Sequence, residues 1–325
     1  MTALRLAHAL ETGALTLPDG RVAVFSPRAG QVLPFGADRV QVVTDDRVDH
    51  DFFAGQGFDC QRQPTGSFAA AVVVLPRARD RARGLIARAA ALGGPVMVDG
   101  DRVNGVDGLL KDLRGRVGGL DNLPKAHGRV IWFDAGADLA DWAKAAEPRL
   151  VGPWLTVAGA FSSDGPDPGS VALLSALPAL KGRVADLGAG WGYLSAGVLA
   201  TNPAVAEMHL IESDAAALDC ARVNVPDPRA AFHWADALRP LPGAPFDVVV
   251  TNPPFHSTRA ADPGLGRAFL AAAARALVPH GTLWLVANRH LPYESVLGET
   301  FNVVETLPGT PAFKIIRASR PRRRV

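Results

Sequence analysis

Asn252-Pro253-Pro254-Phe255 is the most chemically loaded stretch of the chain. Asn252 supplies an amide oxygen and Pro253 a carbonyl oxygen, two acceptors on a backbone stiffened by two prolines, and Phe255 adds a flat apolar face. An amine conjugated to a ring or a carbonyl is a poor nucleophile because its lone pair is delocalised. Held by two acceptors at hydrogen-bond distance, its nitrogen moves toward tetrahedral geometry and the lone pair is aimed at an electrophile. The flat face suits a heterocycle, since stacking of a base on an aromatic ring is worth roughly 1–3 kcal/mol with little preference among bases. Taken alone, the same four residues serve equally well to end a strand and begin a turn.

The element that must position them is the apolar run from Phe246, which reads as a buried strand of a parallel sheet with the four residues at its carboxyl end, where open α/β sheets bind ligands. A second loaded stretch is Lys181 to Tyr193. Val184 to Leu187 reads as a strand carrying Asp186, and Gly188-Ala189-Gly190-Trp191-Gly192 opens a helix through Ala200. Glycines there let backbone N–H groups approach a ligand at the amino end of a helix. Glu212, with Ser213 beside it, ends the next strand, where an acid can hold two ribose hydroxyls. Asp236, followed by Ala237, ends a third strand, where it can accept from an adenine amino group.

Asp186, the glycines, Glu212, Asp236 and Asn252 thus fall in order at successive strand ends, and this order resembles the Rossmann-like methyltransferases that use S-adenosylmethionine. Together with His256 after the motif, Phe161-Ser162-Ser163-Asp164-Gly165, Gly169-Ser170 and a degenerate amino-terminal copy, it resembles the bacterial ribosomal RNA guanine-N2 methyltransferases, particularly the small-subunit type. The resemblance covers most of the chain and is strongest over 157–290. It implies that the glycine loop (Gly188, Ala189, Gly190) and Asp186 hold the methionine portion of the cofactor, Glu212 its ribose and Asp236 its adenine. It further implies that Asn252 and the Pro253 carbonyl hold the target amine while Phe255 and His256 border the base. The methyl donor is already activated, so alignment and desolvation do most of the work and no metal is required. Other acceptors remain open: adenine N6, a glutamine side-chain amide on a protein, or no acceptor at all in a protein that binds cofactor and RNA without turnover. Phe rather than Tyr at 255 and the paired domains favour guanine in RNA.

With 325 residues, 48% of them apolar, the chain suffices for two ordinary domains, and no apolar run approaches membrane-spanning length. Met1 to Gly20 lacks the order of a secretory leader, and two cysteines, Cys60 and Cys220, are too few for a disulfide framework; both facts suit a cytoplasmic protein. His209, His233, His280 and His290 show no metal-ligand spacing. The net charge is only +2, but arginines cluster at Arg77, Arg79, Arg81, Arg83 and Arg88 and again at Arg317, Arg320 and Arg322 to Arg324. Arg77, Arg79 and Arg81 are candidate contacts to ribosomal RNA or the small ribosomal subunit; the plain alternative is a solvated helix face.

Strands alternating with Ala-rich helices predict an α/β fold built on mostly parallel sheets. The pattern occurs twice. Arg21 to Phe25 matches Arg183 to Leu187, Val40 to Asp45 matches Met208 to Glu212, Phe68 to Pro76 matches Phe246 to Pro253, and Val96 to Val98 matches Thr282 to Val286. We therefore expect two tandem Rossmann-like methyltransferase domains in a monomer that is an internal pseudo-dimer. Residues 1–150 would be a degenerate copy with an RNA-binding or structural role, and 151–325 the catalytic copy. The early copy has Ser26-Pro27-Arg28-Ala29-Gly30 in place of the glycine loop. Further expectations are helices over 80–92, 105–113 and 138–146, a helix from Ser170 capped by that serine, and a final pair of strands, 301–304 and 313–318, antiparallel at the sheet edge.

Overall fold

The computed structural model describes residues 3–134, 136, 138–254 and 263–322. They form two compact units, Met1–Pro148 with Val157–Gly159 and Arg149–Thr156 with Ala160–Val325.

The first unit is a seven-stranded sheet. Its strands are β1 (Val22–Phe25), β2 (Val40–Val43), β3 (Asp59–Gln61), β4 (Ala70–Val74), β5 (Val96–Asp101), β6 (Asp121–Lys125) and β7 (Gly128–Phe133). They are ordered β3-β2-β1-β4-β5-β7-β6, with β1 to β5 parallel and β6 and β7 antiparallel. Helices α1 (Ala3–Glu11), α2 (Arg47–Ala54), α3 (Arg79–Ala90), α4 (Val106–Leu113) and α5 (Ala140–Ala145) accompany it. Central strands such as β1 are buried at every position, which is why they read as unbroken Val and Ala rather than as alternation.

The second unit opens with the hairpin β8 (Arg149–Val151) and β9 (Trp154–Thr156) and continues into another seven-stranded sheet. Its strands are β10 (Gly182–Leu187), β11 (Val205–Glu212), β12 (Ala230–Trp234), β13 (Phe246–Thr251), β14 (Leu277–Asn288), β15 (Phe301–Leu307) and β16 (Phe313–Pro321). The order, β12-β11-β10-β13-β14-β16-β15, repeats that of the first sheet strand for strand. Helices α6 (Pro168–Ala176), α7 (Tyr193–Thr201), α8 (Ala215–Asn224), α9 (Pro263–Ala276) and α10 (Tyr293–Thr300) pack beside it. Leu187, Val249, Leu283 and Leu285 fill one core, and Val184, Leu210, Val250 and Val286 the other. Each such side chain contributes roughly 1.5–3 kcal/mol on burial.

One expectation extends further than stated and one needs correction. The antiparallel edge is not confined to the second sheet, because β6 and β7 supply the same edge in the first. β6 escapes notice because it is a polar edge strand interrupted by Pro124, a residue tolerated only where no ladder bond is needed. Ser170 is not a cap: Asp167 is the N-cap of α6, accepting from the Ser170 N–H at 2.9 Å, and Pro168 occupies the first turn.

Candidate active site

Asn252 follows β13, and its side chain is oriented from another part of the unit. Its Nδ2 lies 2.9 Å from Asp167 Oδ2 and 2.9 Å from Ser170 Oγ. A carboxylate only accepts, so it is the amide nitrogen that faces Asp167, and both N–H bonds are spent there. The amide oxygen has no partner among the described residues and is left as an acceptor. Thr251 fixes the strand just upstream, donating its buried hydroxyl to Leu187 O at 2.7 Å. Pro253 is buried and Pro254 half-buried; Phe255 and His256 lie outside the described residues.

Asp186 is fully buried in β10. Its Oδ2 accepts from Ser195 Oγ at 2.8 Å, whereas Oδ1 is buried with no partner among the described residues. Burial pushes its carboxyl up to about 7, the Glu212 charge adds to the rise and the Ser195 bonds oppose it. Glu212, half-buried at the end of β11, accepts from Gly190 N–H at 2.8 Å on one oxygen and from Asp214 N–H at 2.8 Å on the other. Its carboxyl is also raised by burial, with those two N–H bonds opposing. Oε1 also takes a long bond from Ser213 Oγ at 3.5 Å, so the uncommitted lone pair is on Oε2.

The glycine loop corrects the expectation of free N–H groups. Gly188 and Ala189 donate to Ile211 O, Gly190 to Glu212 and Gly192 to Ala189 O, so the loop is tied down against β11. What its glycines provide is room. Gly190 has φ +55, and a Cβ added there meets no described atom within 4 Å. Gly192, at φ +93, lets α7 approach Val225 and Ala221, which a Cβ would strike at 2.8 and 3.2 Å. Asp236 is partly occupied as well, its Oδ1 accepting from Leu238 N–H at 2.8 Å, while Ala237 is buried beside it. Ser213 gives its carbonyl to Trp234 Nε1 at 2.7 Å.

One small cavity, about 40 Å³, joins the two halves, lined by Asn252, Asp167 and Ser170 on one side and Gly188 to Trp191 on the other. Trp191 is buried, donates its indole N–H to Phe161 O at 3.0 Å and packs on Trp154 and Tyr193. Asn224 holds Trp191 O and both backbone groups of Leu155, which pins the β8–β9 hairpin to this wall. Sequence reasoning missed Asp167, Ser170 and Ser195 as site residues. The Asp-Pro pair is a readable cap signal, but nothing local shows that the cap also faces Asn252.

The first unit carries different residues at the corresponding positions. Ser26 N–H donates to Val43 O as Gly188 N–H donates to Ile211 O, which superposes the two strand registers. Val24 then stands for Asp186, Thr44 for Glu212 and Val74 for Asn252, and Pro76-Arg77 falls on Pro254-Phe255. The acid nearest Glu212 by eye, Asp45, is displaced by one residue. Asp46 is the counterpart of Asp214, and both cap the following helix.

The arginine run presents fewer free charges than its composition suggests. Arg79 and Arg83 share Asp112 at 2.9 and 3.0 Å, Arg83 lies over Trp142, and Arg88 lies over Phe25 while bonding Arg62 O. Arg77 and Arg79 are exposed and Arg81 is half-buried. In the carboxyl-terminal cluster, Arg317 and Arg320 belong to β16, and Arg317 pairs with Glu305 at 2.8 Å. No group of metal-ligand side chains occurs among the described residues, nor any helix long and apolar enough to cross a membrane.

Residues 153–317 match the methyltransferase small domain. The ribosomal RNA small subunit methyltransferase C of Shewanella loihica is 28% identical over 79% of this chain and 79% of its own length. That of Shewanella oneidensis is 30% identical over 71% of each. The ribosomal RNA large subunit methyltransferase G of Streptomyces avermitilis is 37% identical over 50% of this chain, which spans 43% of that protein. Among solved structures, the Thermus thermophilus 16S rRNA N2 G1207 methyltransferase, in complex with AdoMet and guanosine, superposes with a TM-score of 0.76 at 24% identity. The superposition covers 94% of this chain and 90% of that one, and shows the same two-unit fold.

Proposed function

The chain belongs to the methyltransferase small domain family and, within it, to the ribosomal RNA small subunit methyltransferases C, and on that premise we propose that it methylates the exocyclic N2 amine of a guanine in small-subunit ribosomal RNA. It is an S-adenosylmethionine-dependent enzyme. The observation that carries the reading is the orientation of Asn252: Asp167 and Ser170 consume both of its donors, so its oxygen faces the reaction as an acceptor.

The cofactor supplies a methyl group on a sulfonium, already activated for transfer. The residues present fit it. Asp186 offers a buried carboxylate oxygen without a partner among the described residues, Gly190 leaves open space where a side chain would intrude, and Glu212 keeps acceptor capacity on Oε2 and, by displacing the long Ser213 contact, on Oε1 for two ribose hydroxyls. Asp236 takes the adenine amino group. Asn252 Oδ1 and the Pro253 carbonyl accept the two N–H bonds of the target amine, directing its lone pair outward and stabilising the positive charge that develops on nitrogen. Phe255 stacks on the base, which leaves its helical stack at a cost of a few kcal/mol. The first unit, with Val24, Thr44 and Val74 at the corresponding positions, serves the RNA rather than the cofactor. The place of action is the cytoplasm, where the ribosomal substrate is.

The test is transfer of labelled methyl from S-adenosylmethionine to ribosomal RNA, free and in small subunits, taken from cells lacking this protein, followed by nucleoside analysis. N2-methylguanosine is the expected product. N6-methyladenosine, or label in protein, would move the acceptor assignment to one of the other planar amines.

A further inference from the structure

In the first unit a cavity of about 420 Å³ opens at the carboxyl end of β4. It sits where the second unit carries Asn252-Pro253-Pro254-Phe255, since Pro76-Arg77 falls on Pro254-Phe255. Arg77, Arg79 and Arg83 line it together with the apolar side chains of Leu75, Val103 and Leu109. Asp112 links Arg79 and Arg83 at 2.9 and 3.0 Å and Asp80 lies 3.8 Å from Arg83, which holds the forks in place while leaving three guanidiniums against two carboxylates. Arg83 is further fixed over Trp142 at 5.3 Å, and its Nε is buried without a partner among the described residues. Asn104, whose Nδ2 donates to Leu75 O at 3.1 Å, also lines it.

We infer that this cavity binds a nucleotide, its phosphate on Arg77 and Arg79 and its base against Leu75, Val103 and Leu109. The volume suits one such unit, within the range of small-molecule sites. Arginine forks match phosphate oxygens, and the surplus positive charge selects an anion over a neutral nucleoside. Those apolar side chains carry no base-reading donors, so the site does not choose among bases. That the nucleotide is one unstacked residue of an RNA, rather than a free nucleotide, rests on the function proposed above; the chemistry of the cavity does not. The degenerate copy thus keeps a substrate pocket after losing its cofactor residues.

Gly108 provides a clean test. It lines the cavity, lies in the first turn of α4, and a Cβ built on it meets no described atom within 4 Å. Gly108→Glu therefore adds bulk and negative charge at a helix position that favours both, without disturbing the core. Binding of 5′-guanosine monophosphate and 5′-uridine monophosphate to the full-length protein is followed by NMR. Both should bind, uridine should bind about tenfold more weakly than its monophosphate or not at all, and Gly108→Glu and Arg79→Ala should each lose about tenfold in nucleotide affinity. Gly108→Ala should bind like wild type. Equal nucleotide binding by wild type and Gly108→Glu overturns the site. In a parallel arm, Gly108→Glu should raise KM for ribosomal RNA with kcat preserved. Loss of mononucleotide binding with unchanged KM assigns the same pocket to a free nucleotide. Methyl transfer is read separately, so retained nucleotide binding in a protein that methylates no RNA would remove the catalytic reading and leave this site standing.

Discussion

Asn252 Nδ2 and Asp167 Oδ2 lie 2.9 Å apart although the two residues are 85 positions apart in the chain. One carboxylate therefore does two jobs, capping α6 and turning the amide of Asn252 so that its oxygen is presented. Asp167→Ala should remove the cap at a cost of about 1 kcal/mol and release the amide to rotate. We expect kcat to fall about a hundredfold, in line with loss of one preorganised polar contact at the reacting centre, with cofactor affinity nearly unchanged. Asp167→Asn keeps an acceptor for both partners and should recover much of the loss. Single-turnover rates and calorimetric cofactor titration read the two effects apart.

Glu212 should act on the other side of the same separation. Its two oxygens hold the N–H groups of Gly190 and Asp214. Glu212→Ala removes the proposed ribose acceptors and also leaves both N–H groups without their partner, a loss of about 1–3 kcal/mol each where water cannot replace it. Cofactor affinity should fall at least about tenfold. An unchanged calorimetric Kd would show that the carboxylate merely braces the loop.

Asp186 should make both stability and binding pH-dependent. Its carboxyl is pushed up to about 7 in the fold, so between about 4 and 7 the folded state binds a proton that the unfolded chain has already lost. The stability contribution is complete below that window and disappears as pH rises through it. Asp186→Asn should consequently unfold at higher urea than wild type at pH 8, by up to a few kcal/mol, and at nearly the same urea at pH 4. The charged carboxylate that is costly in the free protein is the form that attracts a cationic ligand. Cofactor affinity of wild type should therefore rise with pH through about 7, while Asp186→Asn binds weakly and without that dependence.

Much of this site was legible because polar residues at the ends of apolar runs are conspicuous. Asp186, Glu212, Asp236 and Asn252 each interrupt a strand pattern, and a parallel sheet delivers all such ends to one edge. Asp167 was not legible as a site residue, because a cap and a long-range positioning group have the same local appearance. The destination of the glycine-loop N–H groups was hidden for a related reason: whether they face a ligand or Ile211 O depends on how β10 and β11 pair. The duplication could be seen by eye, yet the loss of the acid in the first copy required register. Asp45 looks like the counterpart of Glu212 until the β1–β2 pairing puts Thr44 there.

That register leads to a stoichiometry. Reviving the first copy would need more than an acid at position 44, because Val24 and Val74 bring methyl groups to the places of Asp186 and Asn252. The pocket where a glycine loop would stand is itself differently arranged: Asp49, buried on α2, accepts from Ala29 N–H at 2.7 Å and from Arg28 at 3.0 Å. Burial raises that carboxyl to about 6, with Arg28 and the Ala29 N–H opposing the rise, so the fold pairs the group internally rather than offering it to a ligand. The full-length protein should bind one S-adenosylmethionine per chain. Thr44→Glu should leave that number at one, and Glu212→Ala should weaken the single transition rather than expose a second, independent one. A titration reaching two per chain would mean that the first unit holds cofactor through groups other than those the second unit uses.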